Sequence, residues 1–551
     1  MTDSQTILLA TLPSAPAPAR AALPPASIVA PAKVAPAAPA KTPLSSAAPS
    51  QHSNEAIERS LIDQSARGPV LTFFSTAIFW LLVSTVLGYI ASKRLHDPTF
   101  ILGPEWLYRM LGIDGLLRSI FDTNFVYGRA WPAYNTALIY GWCSLAGMGV
   151  ATWLIGRLCR VAIQAPSMLQ FGAWFWNVGV AVGVLMILGG HNSGLEYFEM
   201  VRGARVLMFI GYLCIGIWGL ILFRYKRTVA PYISVSYLVA GFFLFPWFFG
   251  AADLVSGSQM PGVMKNIVNA WFQGGLFNLW FGCLGLASAY YFIPKVINRP
   301  IYSYNLAKIG FWGWVFLGGL TAMTKLSGGP VPAYLVTISV AASILSIIPI
   351  ACLTVNLGRT MIGHTGKMAS SPTLRFTYVG TVFFAIAAGL GVLGALRGVD
   401  SFTHFTTWDY GVKHTMLMGF FSMVMFGAIY YITPRLVGCE WLSRTFIKLH
   451  FLGTAYGGAT IIGLFLFGGL AAGFTLHESA VDATALNPAR EFTFANVPQN
   501  SGWQHVIRTY IGYTFFGVAQ IIFAIHFTFM RLRIGQPAGE PTLMSNPEET
   551  H

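Results

Sequence analysis

The stretch VNAWFQGGLFNLWFGCLGLASAYYFI, residues 268–293, contains no charged side chain. About 20 apolar residues in a helix suffice to cross the hydrocarbon core of a bilayer. Eleven further apolar segments of spanning length occur along the chain. The chain as a whole is 55% hydrophobic and 10% charged, whereas water-soluble domains carry about 25% charged residues. The sequence therefore predicts an all-α integral membrane protein, a bundle of twelve transmembrane helices, and excludes an ordinary soluble protein.

The loops between the predicted spans carry an orientation signal. Loops after even-numbered spans are short and basic, as in Arg224, Lys226 and Arg227, whereas short loops after odd-numbered spans carry fewer basic residues. Because Lys and Arg accumulate on cytoplasmic loops, both termini are predicted to be cytoplasmic. The net charge of +14 is therefore interpreted as an orientation signal, with the lipid bilayer and no nucleic acid as partner. The predicted limits are 70–92, 133–157, 168–190, 205–223, 231–252, 268–293, 306–324, 331–356, 374–396, 412–433, 447–473 and 509–531.

Residues 1–65 differ from the rest of the chain in composition. They are rich in Ala, Pro and Ser, as in APAPARAALPPAS and APAKVAPAAPAKTP. Such a segment has too little apolar surface to bury, so it is predicted to be a disordered cytoplasmic tail. No basic start precedes a continuous apolar core, so no signal peptide is predicted. The membrane domain is predicted over residues 66–535, followed by a short cytoplasmic C-terminal tail over residues 536–551.

Ionisable side chains inside membrane spans are costly and are therefore candidates for function. Lys325 lies at the end of the seventh predicted span, and Lys413 and His414 lie at the start of the tenth. Taken singly, each lysine is expected to extend its ammonium group to the membrane interface. His526, within FAIHFTFM of the twelfth span, is expected to be a hydrogen-bonded core histidine and not a metal ligand.

A haem or metal centre needs several His, Cys, Met or carboxylate donors that converge. The chain has 11 His, with no HH, HxH or HExxH pair, and 6 Cys, with no CxxC or CxxCH motif. From these residues alone, a centre built on several histidines is not expected. The cysteines are interpreted as small buried apolar residues.

Several strings resemble subunit I of the C-family haem–copper oxidases, the cbb3-type cytochrome c oxidases. They are YYFIPKVINRPIYSYNL (residues 290–306), GAIYYITPRL (427–436) and GLEYFEM with its EYxE core (194–200). The resemblance covers roughly residues 70–535 and implies the same twelve-helix fold. It also implies a bacterial-type inner (cytoplasmic) membrane and c-type cytochrome subunits of a respiratory complex as candidate partners.

The resemblance also assigns positions to the metal ligands of that family. The positions of its six metal-ligating histidines are held, in chain order, by Tyr134, Gly274, Thr324, Lys325, Val412 and His414. Tyr134 and His414 stand at the two ligands of the low-spin haem b, and Val412 stands at the ligand of the high-spin haem. The remaining three stand at copper ligands. The tyrosine that is cross-linked to one copper ligand in the family falls on Gly318.

Only His414 keeps a histidine, so the resemblance implies that no copper binds and that the dioxygen-reducing centre is lost. Positions 412 and 414 are about 200° apart around a helix, so they face opposite sides of it. Only the side of the low-spin haem, which His414 faces, keeps a histidine. Tyr134 is the candidate second axial ligand, because Tyr ligates haem iron in some proteins. The expected cofactor is therefore none or a single haem b on His414 and Tyr134. His404, in the loop before the tenth span, is the one unassigned histidine near this region.

Glu196 and Glu199 match the two acids of the EYxE motif. Without haems they are expected to form hydrogen bonds and to cap backbone N–H groups at the outer surface.

Three hypotheses of function remain open at this stage. The first is a non-catalytic structural or assembly subunit of a respiratory electron-transport complex. The second is an electron-transfer subunit that holds one b-type haem on His414. The third is a channel or transporter that reuses the emptied cavity, with Lys325 and Lys413 lining an anion path.

Overall fold

The computed structural model describes residues 51–228, 231–481 and 496–534, without the side chains of residues 51–56, 478–481 and 496–501. These residues form helices and connecting loops, with no β-sheet among them. Within them, twelve helices are long and apolar enough to cross a membrane, which confirms the predicted fold class. The spans, numbered 1 to 12 in chain order, are Ile57–His96, Tyr127–Cys159, Pro166–Leu188, Arg202–Arg224, Ile233–Ser256, Gly262–Ile297, Tyr304–Leu326, Ala333–Met361, Pro372–Ala395, Trp408–Val437, Arg444–His477 and Gly502–Arg531.

The first helix begins at Gln51, well before the predicted start of the membrane domain at residue 66. Its early residues are held by contacts with span 2: the indole of Trp153 donates a hydrogen bond of 2.9 Å to Asp63, and Arg157 lies 3.5 Å from the same carboxylate. Composition alone placed residues 51–65 in the tail because it cannot register these contacts. The predicted tails over residues 1–50 and 536–551 lie outside the described residues.

Spans 2, 6 and 10 occupy the centre of the bundle. The most apolar stretches of spans 2 and 10 are completely buried and that of span 6 is 89% buried, whereas in the other nine spans no more than 56% is buried. Small residues let the central helices approach closely. A Cβ atom at Gly147 of span 2, for example, would lie 2.9 Å from the ring of Phe421 on span 10.

Four spans contain a π-helical segment, namely Ala137–Cys143 in span 2, Gly275–Phe281 in span 6, Thr415–Ser422 in span 10 and Arg508–Tyr513 in span 12. A π segment shifts the helix face by accommodating an extra residue and often lies at a functional site. All three central spans contain one. The sequence did not predict these segments.

Two spans end or bend in ways that shape the interior. Span 7 finishes in a 3₁₀ helix, Thr321–Leu326, which contains Lys325. Span 8 is divided into the helices Ala333–Leu345 and Ile347–Met361. Pro349 lies just after the break, and because it has no N–H it cannot satisfy the carbonyl group of Leu345. Both irregularities border the cavity described below.

Candidate functional site

A cavity of about 710 Å³ lies between spans 6 to 12 and the loops beside them. The residues that line it include five of the seven positions to which the resemblance assigns a ligand or the cross-linked tyrosine. They are Gly274, Gly318, Thr324, Lys325 and Val412. These residues are up to 138 positions apart in the chain, and the fold brings them to one cavity.

The central spans place three of the assigned positions in the same local setting. Tyr134 precedes the π segment of span 2 by three residues, and Gly274 and His414 directly precede the π segments of spans 6 and 10. Each position therefore lies where the helix face shifts.

Four charged side chains form what we call the charge cluster: Glu196, Lys325, Asp409 and Lys413. The Lys325 ammonium group lies 3.2 Å from Oε2 of Glu196 and is also paired with Oδ2 of Asp409. Lys413 donates to the same Oδ2 over 2.8 Å and to Oε1 of Gln273 over 2.9 Å. The cluster contains two cations and two anions, so its formal charge is balanced.

Elements from separate parts of the chain bring the charge cluster together. Asp409 and Lys413 lie one turn apart at the start of span 10, the spacing at which helical side chains pair. Glu196 belongs to the loop after span 3, and its carbonyl oxygen accepts hydrogen bonds from Asn269 and Gln273 of span 6, at 3.3 and 3.4 Å.

Tyr197, the residue after Glu196, contacts Lys325 and Lys413 through its ring. It has a φ of +61°, which is rare for a bulky residue and requires support from the surrounding structure. The Tyr140 hydroxyl supplies part of that support by donating to the Tyr197 carbonyl oxygen over 2.6 Å. The Tyr197 ring centroid then lies 4.8 Å from the ammonium nitrogen of Lys413 and 5.8 Å from that of Lys325. Both distances are in the range of cation–π contacts.

The expectation that Lys325 and Lys413 extend to the membrane interface is wrong. Only 10% of the Lys413 side chain and 24% of the Lys325 side chain are exposed, and both ammonium groups are paired within the cavity wall. The argument for interfacial lysines treated each residue singly. Because carboxylates compensate the charge of both ammonium groups inside the protein, neither lysine has to reach the aqueous interface.

The two acids of the EYxE motif differ from each other in environment, and neither caps span 4. Glu196 accepts a hydrogen bond from Lys325, in agreement with the hydrogen bonding expected of it, but it does not cap span 4. Glu199 is 6% exposed and accepts hydrogen bonds from the backbone N–H groups of Tyr197 and of Glu199 itself. Its Oε2 has no hydrogen-bond partner among the described residues. Burial raises the pKa of Glu199 from 4.5 to about 8.

Tyr134 and His414 meet directly. The Tyr134 hydroxyl lies 2.9 Å from Nε2 of His414 and the two form a hydrogen bond. Two axial ligands of one metal ion would stand about 4 Å apart, twice a typical metal–nitrogen distance of about 2 Å. The rings of Trp131 and Phe465 lie against His414 as well, with centroids at 5.8 and 4.9 Å. In this arrangement the two side chains do not fit a haem between them, and a haem b on His414 stays a prediction.

The positions assigned to copper ligands do not fit that metal. A Cβ atom at Gly274 would lie 2.7 Å from the carbonyl oxygen of Gly319, so a histidine there would require a backbone shift. Thr324 offers a hydroxyl group, and the Lys325 ammonium is engaged by two carboxylates. Among the residues that the structure describes, no three His, Cys, Asp or Glu side chains are placed to hold a metal ion. The absence of copper itself stays a prediction.

Three further histidines, His404, His450 and His526, have hydrogen-bond partners nearby. His404 lines the cavity, and its Nδ1 lies 3.2 Å from Oδ1 of Asp400. His526 accepts a hydrogen bond of 3.3 Å from the backbone N–H of Ser443, in agreement with its predicted role as a core histidine. His450, which the sequence analysis did not consider, forms a hydrogen bond of 2.9 Å with the Tyr430 hydroxyl.

Sequence reasoning missed Asp409, which pairs with both lysines, and Gln273, which accepts a hydrogen bond from Lys413. The spacing of four residues between Asp409 and Lys413 was an available signal for the first. Gln273 had no comparable signal, because its role depends on the approach of span 10 to span 6.

Comparison with known proteins yields one family. Residues 68–518 match the family described as Cytochrome C and Quinol oxidase polypeptide I. The chain is 25% identical over 490 residues to the Cbb3-type cytochrome c oxidase subunit CcoN1 of Stutzerimonas stutzeri, covering 85% of this chain and 95% of that relative. It is 26% identical over 393 residues to the Cytochrome c oxidase subunit 1 homolog of Agrobacterium tumefaciens (strain T37), covering 68% of each.

A solved structure also matches the bundle. A haem–copper terminal oxidase dimer determined by cryo-EM superposes with a TM-score of 0.60 at 12% identity, covering 88% of this chain and 86% of the other. At that identity the match establishes a shared fold and leaves function to the residues of the site.

Proposed function

The chain belongs to the Cytochrome C and Quinol oxidase polypeptide I family and is a cbb3-type oxidase subunit I-like membrane protein; from this premise we propose that it is a non-catalytic structural or assembly subunit of a respiratory electron-transport complex. Members of one family share a scaffold, but activity depends on the residues of the site. The proposal is that this chain keeps the scaffold and has lost the dioxygen-reducing centre.

One observation carries the proposal. Among the described residues that line the cavity where the assigned copper positions meet, the Lys and Arg side chains are Lys325 and Lys413, and both are paired with carboxylates of the same wall. Glycine and valine have no donor atoms, and a lysine ammonium repels a metal cation. The charge cluster instead links the loop after span 3, the end of span 7 and the start of span 10. We infer that this cluster supports the fold at the place where the family's metal centre lies.

The test is the haem and copper content and the oxygen consumption of the full-length protein purified in detergent. The expected result is no copper and no oxygen uptake with ascorbate and a redox mediator. A pyridine haemochrome spectrum measures haem b in the same sample. A cbb3-type oxidase purified in parallel is the positive control. Oxygen consumption above that of protein-free detergent, or two haems with copper, would overturn the proposal.

The electron-transfer hypothesis is the second candidate, favoured by the retained His414. It requires Tyr134 to move away from His414, because the present hydrogen bond leaves no room for an iron atom. One haem b per chain whose Soret band disappears in His414→Ala would support it. Tyr134→Phe tests the second assigned ligand, because it removes the hydroxyl group and keeps the ring. A Soret band that persists in both variants would mean that other residues ligate the haem iron.

An anion path along Lys325 and Lys413 is the third candidate, and the ion pairs of both lysines weaken its motivation. Anion flux into liposomes that is unchanged in the double variant Lys325→Met, Lys413→Met would remove this candidate.

For partners, we propose c-type cytochrome subunits, because the relatives are named as cytochrome c oxidase subunits. Copurification of a c-type cytochrome with the tagged chain from its native membrane is the corresponding test.

A further inference from the structure

We propose that the cavity beside the charge cluster binds a lipophilic amine, a molecule with an apolar body and an ammonium head group. Its volume of about 710 Å³ falls within the range of small-molecule sites, about 300–1,000 Å³. The proposal rests on the proposed function in one respect, because the cavity lies where the family's metal centre lies and is available only if that centre is lost.

All four members of the charge cluster line the cavity, and the two carboxylates are the more exposed ones. The Asp409 and Glu196 side chains are 38% and 36% exposed, against 24% for Lys325 and 10% for Lys413. Both lysines engage Oδ2 of Asp409, and Lys325 engages Oε2 of Glu196. Within the described residues no hydrogen bond reaches Oδ1 of Asp409 or Oε1 of Glu196. Two carboxylate oxygens therefore remain as acceptors for a donor in the cavity.

An ammonium head group suits this wall better than an anionic one. It would add charge-assisted hydrogen bonds to oxygens that have none from protein. An anion would instead be repelled by the two exposed carboxylates and would compete with them for Lys325 and Lys413.

The lining of the cavity also contains apolar side chains, which would contact the body of the ligand. Spans 7 to 10 contribute Trp314, Ile350, Ala387, Leu390 and Met416. Ligand sites typically combine an apolar lining with a few polar groups that fix orientation. The head group would lie at Asp409 and Glu196, and the apolar chain would extend toward Trp314.

The test compares three probes with the same chain: n-octylammonium, n-octanol and n-octanoate. Each is radiolabelled and its binding to the full-length protein in nanodiscs is measured, with binding to empty nanodiscs subtracted. We expect n-octylammonium to bind about tenfold or more tightly than n-octanol, and n-octanoate to bind weakest. Tightest binding of n-octanoate would identify an anion site, and equal binding of all three would identify an apolar cavity without head-group recognition. Either result overturns the proposal, and neither needs a variant.

Two variants test whether the ammonium head group binds at Asp409 and Glu196. Asp409→Asn and Glu196→Gln are each expected to reduce the preference of n-octylammonium over n-octanol, with the affinity for n-octanol unchanged. Glu105→Gln is the matched control, because Glu105 is an exposed acid outside the cavity lining. A preference that persists in both cavity variants would also contradict the proposal. Haem and copper content of the same samples, measured separately, reports on the proposed function independently.

Discussion

At the scale of single residues, Asp409 determines whether the charge cluster holds together. One of its oxygens is paired with Lys325 and Lys413, which come from different spans. Lys413 has no other charged partner among the described residues, because Gln273 is neutral. The removal of Asp409 would therefore leave a lysine in the protein interior without a counter-ion.

Asp409→Asn is expected to lower the free energy of unfolding by about 1–3 kcal/mol. Breaking a buried ion pair costs about 3–5 kcal/mol, and the partial exposure of Asp409 reduces that figure. Adding Lys413→Met to this variant should restore part of the loss, because it removes the unpaired cation. Thermal unfolding in detergent, followed by tryptophan fluorescence, measures both.

The control for this pair of variants is Glu105→Gln, whose side chain is 53% exposed and paired with exposed arginines. Its effect should stay within about 0.5 kcal/mol. A double variant no more stable than Asp409→Asn would show that the cluster does not act as a unit.

Glu199 should make the stability depend on pH. Burial raises its pKa from 4.5 to about 8, so the folded protein keeps the proton to higher pH than the unfolded chain. The stability that this provides is complete below pH 4.5 and is lost as the pH rises to about 8. Glu199→Gln should reduce the fall in unfolding temperature between pH 6 and pH 8.5. An unchanged fall in the variant would assign the pH dependence to other groups.

At the scale of elements, close contacts between helices depend on glycine at particular positions. Spans 11 and 12 illustrate this, because a Cβ atom at Gly457 would lie 2.5 Å from the backbone nitrogen of Phe516. A backbone atom cannot rotate away as a side chain does. The two helices would have to separate to admit even a methyl group.

Gly457→Ala is therefore expected to destabilise the protein by about 1–3 kcal/mol, the usual cost of overpacking. Gly463→Ala is the matched control in the same span, since a Cβ atom there meets no neighbour within 4 Å. The control should be neutral or stabilising by up to about 1 kcal/mol, because Ala favours the helix. Thermal unfolding of both variants checks the prediction, and equal losses would refute it.

At the scale of the whole molecule, the chain is a multi-pass membrane protein of a bacterial oxidase family. Its orientation remains a prediction from the basic loops. A green fluorescent protein fused to the C-terminus should fluoresce, and alkaline phosphatase fused there should be inactive, because the C-terminus is predicted to be cytoplasmic.

Alkaline phosphatase fused after Met260, in the loop between spans 5 and 6, is the internal control for orientation. This loop follows an odd-numbered span and should lie on the opposite side, so the enzyme should be active. The reverse pattern at both positions would mean that the bundle is inverted in the membrane.

The membrane environment, the twelve spans and the family could all be predicted from the sequence. Each follows from local information: a helix of about 20 apolar residues suffices to span a bilayer whatever its neighbours are, and motifs such as YYFIPK are read along one segment. The candidate ligand positions were also named from the sequence, and five of the seven line one cavity. Their roles in binding a cofactor remain predictions.

The tertiary structure alone decided what those positions contact. Lys325 and Lys413 each resembled an interfacial lysine in the sequence. Lys325 is paired because Asp409 and Glu196 approach it from other elements, and Lys413 lies between Asp409 of its own helix and Gln273 of span 6. Likewise, Tyr134 and His414 are 280 residues apart in the chain and meet only because spans 2 and 10 pack side by side. Electrostatic and hydrogen-bond partners depend on distances across the fold, and no local pattern along the chain encodes those distances.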